Sequence, residues 1–320
     1  MNETGNAARR MLDANMKRKA GREEKDMLRI RGERIPLLKF PMLEACDLIE
    51  HGITTRLGGV SEGMLASLNL SFSRGDEKER VQENFRRVSG EFGASEDRFV
   101  FTEQEHADKV RVVREEDAGK GLTCERDYSC VDALVTNVPR LVLSVFVADC
   151  VPVFFVDPVR RAIGLAHSGW KGTAGRIAEK TLRLMSEQYG TRAEDVLCGI
   201  APSICQSCFE IRRDVAGVFA KEFAGQEEKV MCLPGAKDAS SADDADVAAL
   251  KERLRGDDPE DKFHLDLWAA NRLILEDAGV LPEHISVTDV CTCCNTELLF
   301  SHRGSNGRRG NLGAFLMIKD

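Results

Sequence analysis

No apolar run in this chain of 320 residues approaches the roughly 18 that a membrane-spanning helix needs, and the opening MNETGNAARRMLDANMKRKAGREEKD has no apolar core for a secretory signal. A cytoplasmic setting is the expectation. Positive charge is not in excess either: 45 Lys and Arg stand against 53 Asp and Glu, a formal net charge of -8. A polyanion such as DNA or RNA is therefore not the expected partner, because neutralising phosphates calls for a basic surface, although a small anion held by a few arginines remains compatible. A repeat of fixed period and a linker that would split the chain are absent as well. Histidine is scarce at six residues, and no two of them form a His-x-His pair.

What is present is ample material for a core, 42% of residues being hydrophobic, and eleven cysteines. An odd number of thiols cannot all pair within one chain, and in a reducing compartment cysteines serve as free thiols or metal ligands more often than as disulfides. Residues 1–36 are charge-dense with little apolar periodicity and read as a tail or a loosely docked helix. From about Leu37 to Ile318 apolar runs alternate with Gly-rich and polar turns, the pattern of an α/β chain with mixed, partly antiparallel sheets flanked by helices in one large domain. Residues 234–262, rich in Asp, Ala and Lys, read as an acidic surface insertion with one short helix, far from the chemistry.

The centre of the chain carries the most information. Residues 141–148 (LVLSVFVA), 153–156 (VFFV) and 162–166 (AIGLA) are short β-branched and aromatic runs and predict three buried strands. The segment His167-Ser168-Gly169-Trp170-Lys171-Gly172 follows, with Thr173 as the expected N-cap of a helix over 174–187. If 151–156 and 161–166 form an antiparallel hairpin about a turn at 157–160, Cys150 falls opposite His167, at the roughly 4.5–5.5 Å that lets a thiolate and an imidazole share one metal ion. Spacing alone leaves three readings open: a small core cysteine beside a satisfied loop histidine, a nucleophile with its general base, or two ligands of a metal.

Further blocks lie in a definite order: Thr54-Thr55-Arg56-Leu57-Gly58-Gly59-Val60-Ser61, Leu68-Asn69-Leu70, Gln104-Glu105-His106, Ala148-Asp149-Cys150-Val151-Pro152, the His167 segment, Cys208-Phe209-Glu210, His264-Leu265-Asp266-Leu267 and Phe300-Ser301-His302-Arg303. On these blocks the chain resembles the YfiH family, also called the laccase-domain or multicopper polyphenol oxidoreductase-like family, from about residue 51 to the C-terminus. The resemblance implies zinc ligands at His106, Cys150 and His167, leaving one position of a tetrahedral ion open for chemistry. It implies a zinc-dependent purine nucleoside phosphorylase acting on adenosine, inosine or methylthioadenosine with inorganic phosphate, and hydrolytic deamination of adenosine as a companion activity.

A copper-dependent polyphenol oxidase is the alternative that the family's name carries, but several copper centres need about ten histidines, many in His-x-His pairs. A Cys/His thiol hydrolase is the other. For phosphorolysis, a guanidinium fork suits the phosphate: Arg56, in its Gly-rich loop, is the first expectation and Arg303 the second, with Gln104 added to the substrate side. For deamination a carboxylate must move a proton near the ion, and Asp149 adjoins a ligand. The chain departs from the family pattern where many members have Arg-Arg after the Phe-Ser-Tyr block, since it reads Arg303-Gly304, with Arg308 and Arg309 further on. Cys205, Cys208, Cys291, Cys293 and Cys294 could make a second, closed zinc site, although reduced structural thiols are the expectation.

Overall fold

β-Branched and aromatic side chains fit a pleated surface covered on both faces, and the Val/Phe-rich middle of the chain extends accordingly. In the computed structural model, which describes residues 11–236 and 241–320, strand Val151–Asp157 is buried along its whole length. Its alternation feeds two cores: Val151, Val153 and Phe155 join one apolar cluster, Phe154 and Val156 the other.

That strand lies inside a six-stranded sheet ordered Ile285–Val287, Leu197–Ile200, Val151–Asp157, Ala162–Ser168, Ala133–Thr136, Val110–Val112. A second six-stranded sheet runs Arg29–Arg31, Leu37–Lys39, Ile49–Thr54, Leu312–Ile318, Val142–Val147, Phe99–Phe101. Both sheets mix parallel and antiparallel pairs. The cluster that holds Leu143, Val145, Leu316, Phe154, Val156 and Leu165 draws on both, so the sheets pack face to face. Helices Ile177–Tyr189 and Leu267–Asp277 cover the outer face of the first sheet, and helix Lys78–Phe92 covers that of the second. A three-stranded sheet, Glu210–Arg212, Lys262–Leu265 and Met231–Cys232, adjoins this layered body. No described helix is long and apolar enough to cross a membrane.

Two local expectations are corrected. The hairpin forms, but its ladder pairs Val151 with Ser168, Pro152 with His167 and Asp157 with Ala162. Cys150 is thus not opposite His167; extending the ladder sets it across from Gly169. The reason is the turn: Asp157 stays in its strand while its Oδ1 accepts the N–H groups of Val159 and Arg160 at 2.9 and 3.0 Å, and Arg161 takes the left-handed conformation. A shift of two residues preserves the face, so Cys150 and His167 still converge, diagonally. Thr173 caps no helix: Gly169 precedes a short helix Trp170–Ala174, and Arg176, at φ 56°, separates it from Ile177–Tyr189. The Thr173 hydroxyl instead donates back to the Gly169 carbonyl at 3.0 Å.

From Lys17 to Leu28 the charged N-terminal stretch is held against the body of the protein. Lys17 N–H donates to Asn295 Oδ1 at 2.7 Å, Arg18 pairs with the buried Asp289, and Leu28 is buried. Its basic residues find acidic and carbonyl partners on the sheet edge, which low hydrophobicity alone does not reveal. Residues 1–10 lie outside the described residues. In the acidic insertion, helix Asp244–Arg255 is started by Asp243, whose carboxylate accepts from Ala245 and Asp246. Residues 237–240 lie outside the described residues.

Buried His51 gives the fold a pH dependence. Its Nε2 accepts the Phe40 N–H at 3.0 Å, and burial, helped by Lys39 and Lys319, pushes its pKa down to about 3. The folded state therefore holds His51 neutral, its contribution is complete above the unfolded value of about 6.5, and it is lost as pH falls from there toward 3. Denaturant titrations should show wild type losing a few kcal/mol more than His51→Gln between pH 7 and about 4. Parallel losses in the two proteins would refute a neutral buried imidazole.

Candidate metal centre

Three donors converge at the ends of strands. His106 sits in the loop between Phe99–Phe101 and Val110–Val112 with φ 58°; Cys150 follows Asp149, at φ 89°, into strand Val151–Asp157; His167 is near the end of Ala162–Ser168. One ligand atom from each lies within 4.8 Å of the others. Cys150 Sγ is 3.7 Å from His106 Nε2, and the two imidazole rings meet edge to face with centroids 5.0 Å apart. Gly169 leaves room for these donors: a Cβ on it would stand 3.0 Å from His106 Cδ2 and 3.2 Å from Cys150 Sγ, and both side chains would have to shift by a few tenths of an ångström.

Asp132 organises the donors. Fully buried, its Oδ1 is 2.7 Å from His167 Nδ1, which makes Nδ1–H the donor and leaves Nε2 free as a ligand atom. The same carboxylate accepts the backbone N–H groups of Glu105, His106 and Ala107 at 3.2, 3.2 and 3.0 Å, holding the His106 loop in its left-handed turn. Burial pushes the carboxyl upward, yet the His167 bond and these amides hold it below its ordinary value. Sequence reading missed Asp132, although a lone carboxylate at the head of the apolar run 133–136 is a signal, since a buried charge needs partners.

Electrostatics of the cluster fit a cation. Burial raises the Cys150 thiol, but His167 and His106 outweigh it and bring the pKa down to about 6. Burial lowers His167, and Cys150 and Asp132 reverse that to about 9. A divalent ion would replace the proton shared in this pair, neutralising the thiolate while both imidazoles stay neutral, and one sulfur with two nitrogens is a donor set zinc accepts.

The other expected site residues are placed differently. Arg56 stacks over Phe300 with 4.6 Å to the centroid, and its guanidinium donates to the carbonyls of Ala66, Thr296 and Met64; it pins loops and does not line the pocket beside the three donors. Arg303 Nη2 donates to the Glu210 carbonyl at 3.0 Å and its guanidinium lies over Phe209, again outside the pocket. Gln104 reaches the pocket wall, but its amide is spent on both backbone groups of Phe146, at 2.7 and 2.8 Å. Asp149 accepts the Thr292 hydroxyl with one oxygen and the Arg303 N–H with the other, each at 2.6 Å, so it fastens the Cys150 turn.

The pocket itself encloses about 380 Å³ and opens beside His106, Cys150 and His167. Phe72, Phe101 and Phe146 supply apolar walls, and Arg74, Arg126 and Arg309 supply positive charge. Among the described residues, neither Arg74 nor Arg309 forms an ion pair with a carboxylate; Arg309 Nη1 donates to Asn311 Oδ1, while its Nε is buried without a hydrogen-bond partner. Burial and the charge of Arg74 push Arg309 down to about 10. Two unneutralised guanidinium groups at one wall create a place for an anion.

A family model described as multi-copper polyphenol oxidoreductase laccase matches residues 50–319. The chain belongs to this laccase-domain, or YfiH, family. A Bacillus subtilis relative named purine nucleoside phosphorylase YlmD is 33% identical over 273 residues, covering 84% of this chain and 88% of the relative. A protein named adenosine deaminase RL5, from an unknown prokaryotic organism, is 30% identical over 284 residues, 88% of this chain and 99% of that one. The crystal structure of the hypothetical protein YfiH of Bacillus licheniformis superposes with a TM-score of 0.76 at 29% identity, covering 91% of this chain and 99% of the other. The laccase-domain label names copper oxidation, but this member has only six histidines; His51 is spent on the Phe40 amide and His264 on the Gln206 carbonyl.

Proposed function

We propose that this protein is a zinc-dependent purine nucleoside phosphorylase, with deamination of adenosine as a companion activity at the same centre. The names carried by its relatives point to purine nucleosides. The observation that carries the reading is the pairing, in one pocket, of the His106, Cys150 and His167 donors with the unneutralised Arg309 and Arg74. Zinc held by His106, Cys150 and His167 would supply a Lewis acid at the pocket wall. Arg309 and Arg74 bind inorganic phosphate and hold it below C1′ of the ribose, while Phe72 and Phe146 offer flat apolar surface to the purine. In phosphorolysis a phosphate oxygen bonds to C1′, the glycosidic C–N bond breaks, and the purine leaves with its bonding pair and takes up a proton.

Chromatography of adenosine incubations tests this. With phosphate the products should be adenine and ribose 1-phosphate; without it, inosine. Arg309→Lys keeps the charge but loses the fork, and the KM for phosphate should rise tenfold or more, about 1.4 kcal/mol, with the nucleoside KM much less affected. Intact adenosine, inosine and methylthioadenosine beside copper-dependent oxidation of a phenol would refute the proposal. The chain Cys150, His167, Asp132 also fits a thiol nucleophile with an oriented base. Peptide-mapped alkylation separates the two: a nucleophilic Cys150 reacts in the protein as purified, a zinc ligand only after chelation.

A further inference from the structure

A second thiol cluster lies outside this pocket, and chain topology builds it. Strands Leu197–Ile200 and Ile285–Val287 run parallel and adjacent, and the register continues past their ends in a parallel bridge between Ser203 and Cys291. Each strand therefore delivers a Cys-x-x-Cys segment at the same level: Cys205 to Cys208 turns through a 3-10 helix at Gln206–Cys208, and Cys291 to Cys294 through one at Cys293–Asn295. The Sγ atoms of Cys205, Cys208, Cys291 and Cys294 all lie within 4.8 Å of one another, and Cys208 Sγ is 3.6 Å from Cys294 Sγ. Four sulfurs around a tetrahedral zinc at about 2.3 Å stand about 3.8 Å apart, so the cluster needs only a small contraction.

Its surroundings match. All four are free thiols; Cys205 and Cys291 are buried and the other two half-buried. The Cys205 N–H donates to Cys291 Sγ at 3.3 Å, a bond that favours thiolate sulfur. Lys19 packs over the cluster, its Nζ donating to Ser207 Oγ at 3.1 Å, near enough to couple with Cys205, Cys294 and Cys291. Its ammonium offsets part of the double negative charge that four thiolates leave around a divalent ion. The N-terminal segment is tied to the same place, since Asn295 Nδ2 donates to both the Lys17 and Cys291 carbonyls.

We propose that Cys205, Cys208, Cys291 and Cys294 form a closed tetrathiolate site that holds a structural zinc ion, separate from the centre at His106, Cys150 and His167. Two paired knuckles with no open position are the arrangement of structural zinc. Thr292, between two of the ligands, donates to Asp149 and so connects the site to the turn that presents Cys150.

Elemental analysis of the full-length protein tests the site without any use of nucleoside turnover. Cys150→Ala, which empties the other centre, should retain one equivalent of zinc, and adding Cys208→Ser should remove it. Should the double variant not fold, cobalt(II) titrated into metal-free Cys150→Ala should give the intense visible bands of tetrahedral cobalt thiolate at one equivalent. Cys150→Ala that is folded and free of zinc, whether its thiols are reduced or its intact mass shows the loss of two hydrogens per disulfide, would overturn the proposal. So would zinc that survives when Cys208→Ser is added to Cys150→Ala. Neither result bears on whether the pocket acts on purine nucleosides.

Discussion

Cys150→Ala should cost the protein the zinc of the His106 centre and lower nucleoside turnover by at least about a thousandfold, the equivalent of some 4 kcal/mol of Lewis-acid stabilisation. Cys150 is the one anionic donor of the three, and the other two are neutral imidazoles when they ligate. Its removal leaves a divalent ion with two nitrogens and no charge compensation. The backbone should survive, because Asp149 keeps its bonds to Thr292 and Arg303, and alanine fits where the half-buried thiol stood. Metal content and thermal melting, measured together, decide the matter: an unchanged zinc content, or loss of activity only through a large fall in Tm, would refute the ligand role.

Asp132→Asn should lower zinc affinity and activity by about 10- to 100-fold while leaving all three donors in place. The amide keeps the size of the carboxylate, but it is neutral and offers one accepting oxygen where Asp132 has two. That oxygen cannot serve His167 Nδ1–H together with the N–H groups of Glu105, His106 and Ala107 as the carboxylate does. Either the imidazole changes tautomer, presenting Nε2–H where a lone pair is needed, or the His106 loop loosens. A zinc titration against a competing chelator reads the affinity. Wild-type affinity in Asp132→Asn would mean that packing alone orients the two histidines.

Several features of this site were legible in the residue string because they are properties of residue types in order. His106, Cys150 and His167 are the donors expected, and the structure brings them together. The strands at Val142–Val147, Val151–Asp157 and Ala162–Ser168 follow from β-branched and aromatic runs that need burial on two faces. Anion binding was expected from a guanidinium fork, but the arginine chosen for its Gly-rich loop, Arg56, proves to be saturated by carbonyls, whereas Arg74 and Arg309 line the pocket and Arg309 keeps a buried Nε without a hydrogen-bond partner. Whether an arginine is spent on carbonyls or left for a ligand depends on which distant loops close over it: Thr296, one of its partners, lies 240 residues away in sequence from Arg56.

The sequence by itself determined the donor chemistry, the alternating strands, the acidic balance and the two Cys-x-x-Cys segments, since each is carried by identity and spacing along the chain. Tertiary structure alone decided the hairpin register, displaced by two residues through the Asp157 turn. It also decided the burial of Asp132 beneath both histidines and the parallel alignment of Leu197–Ile200 with Ile285–Val287 that sets four thiols side by side. The physical reason is the same in each case. A hydrogen-bonding or ligating side chain has more candidate partners than it can satisfy, and only the packing of remote segments selects among them.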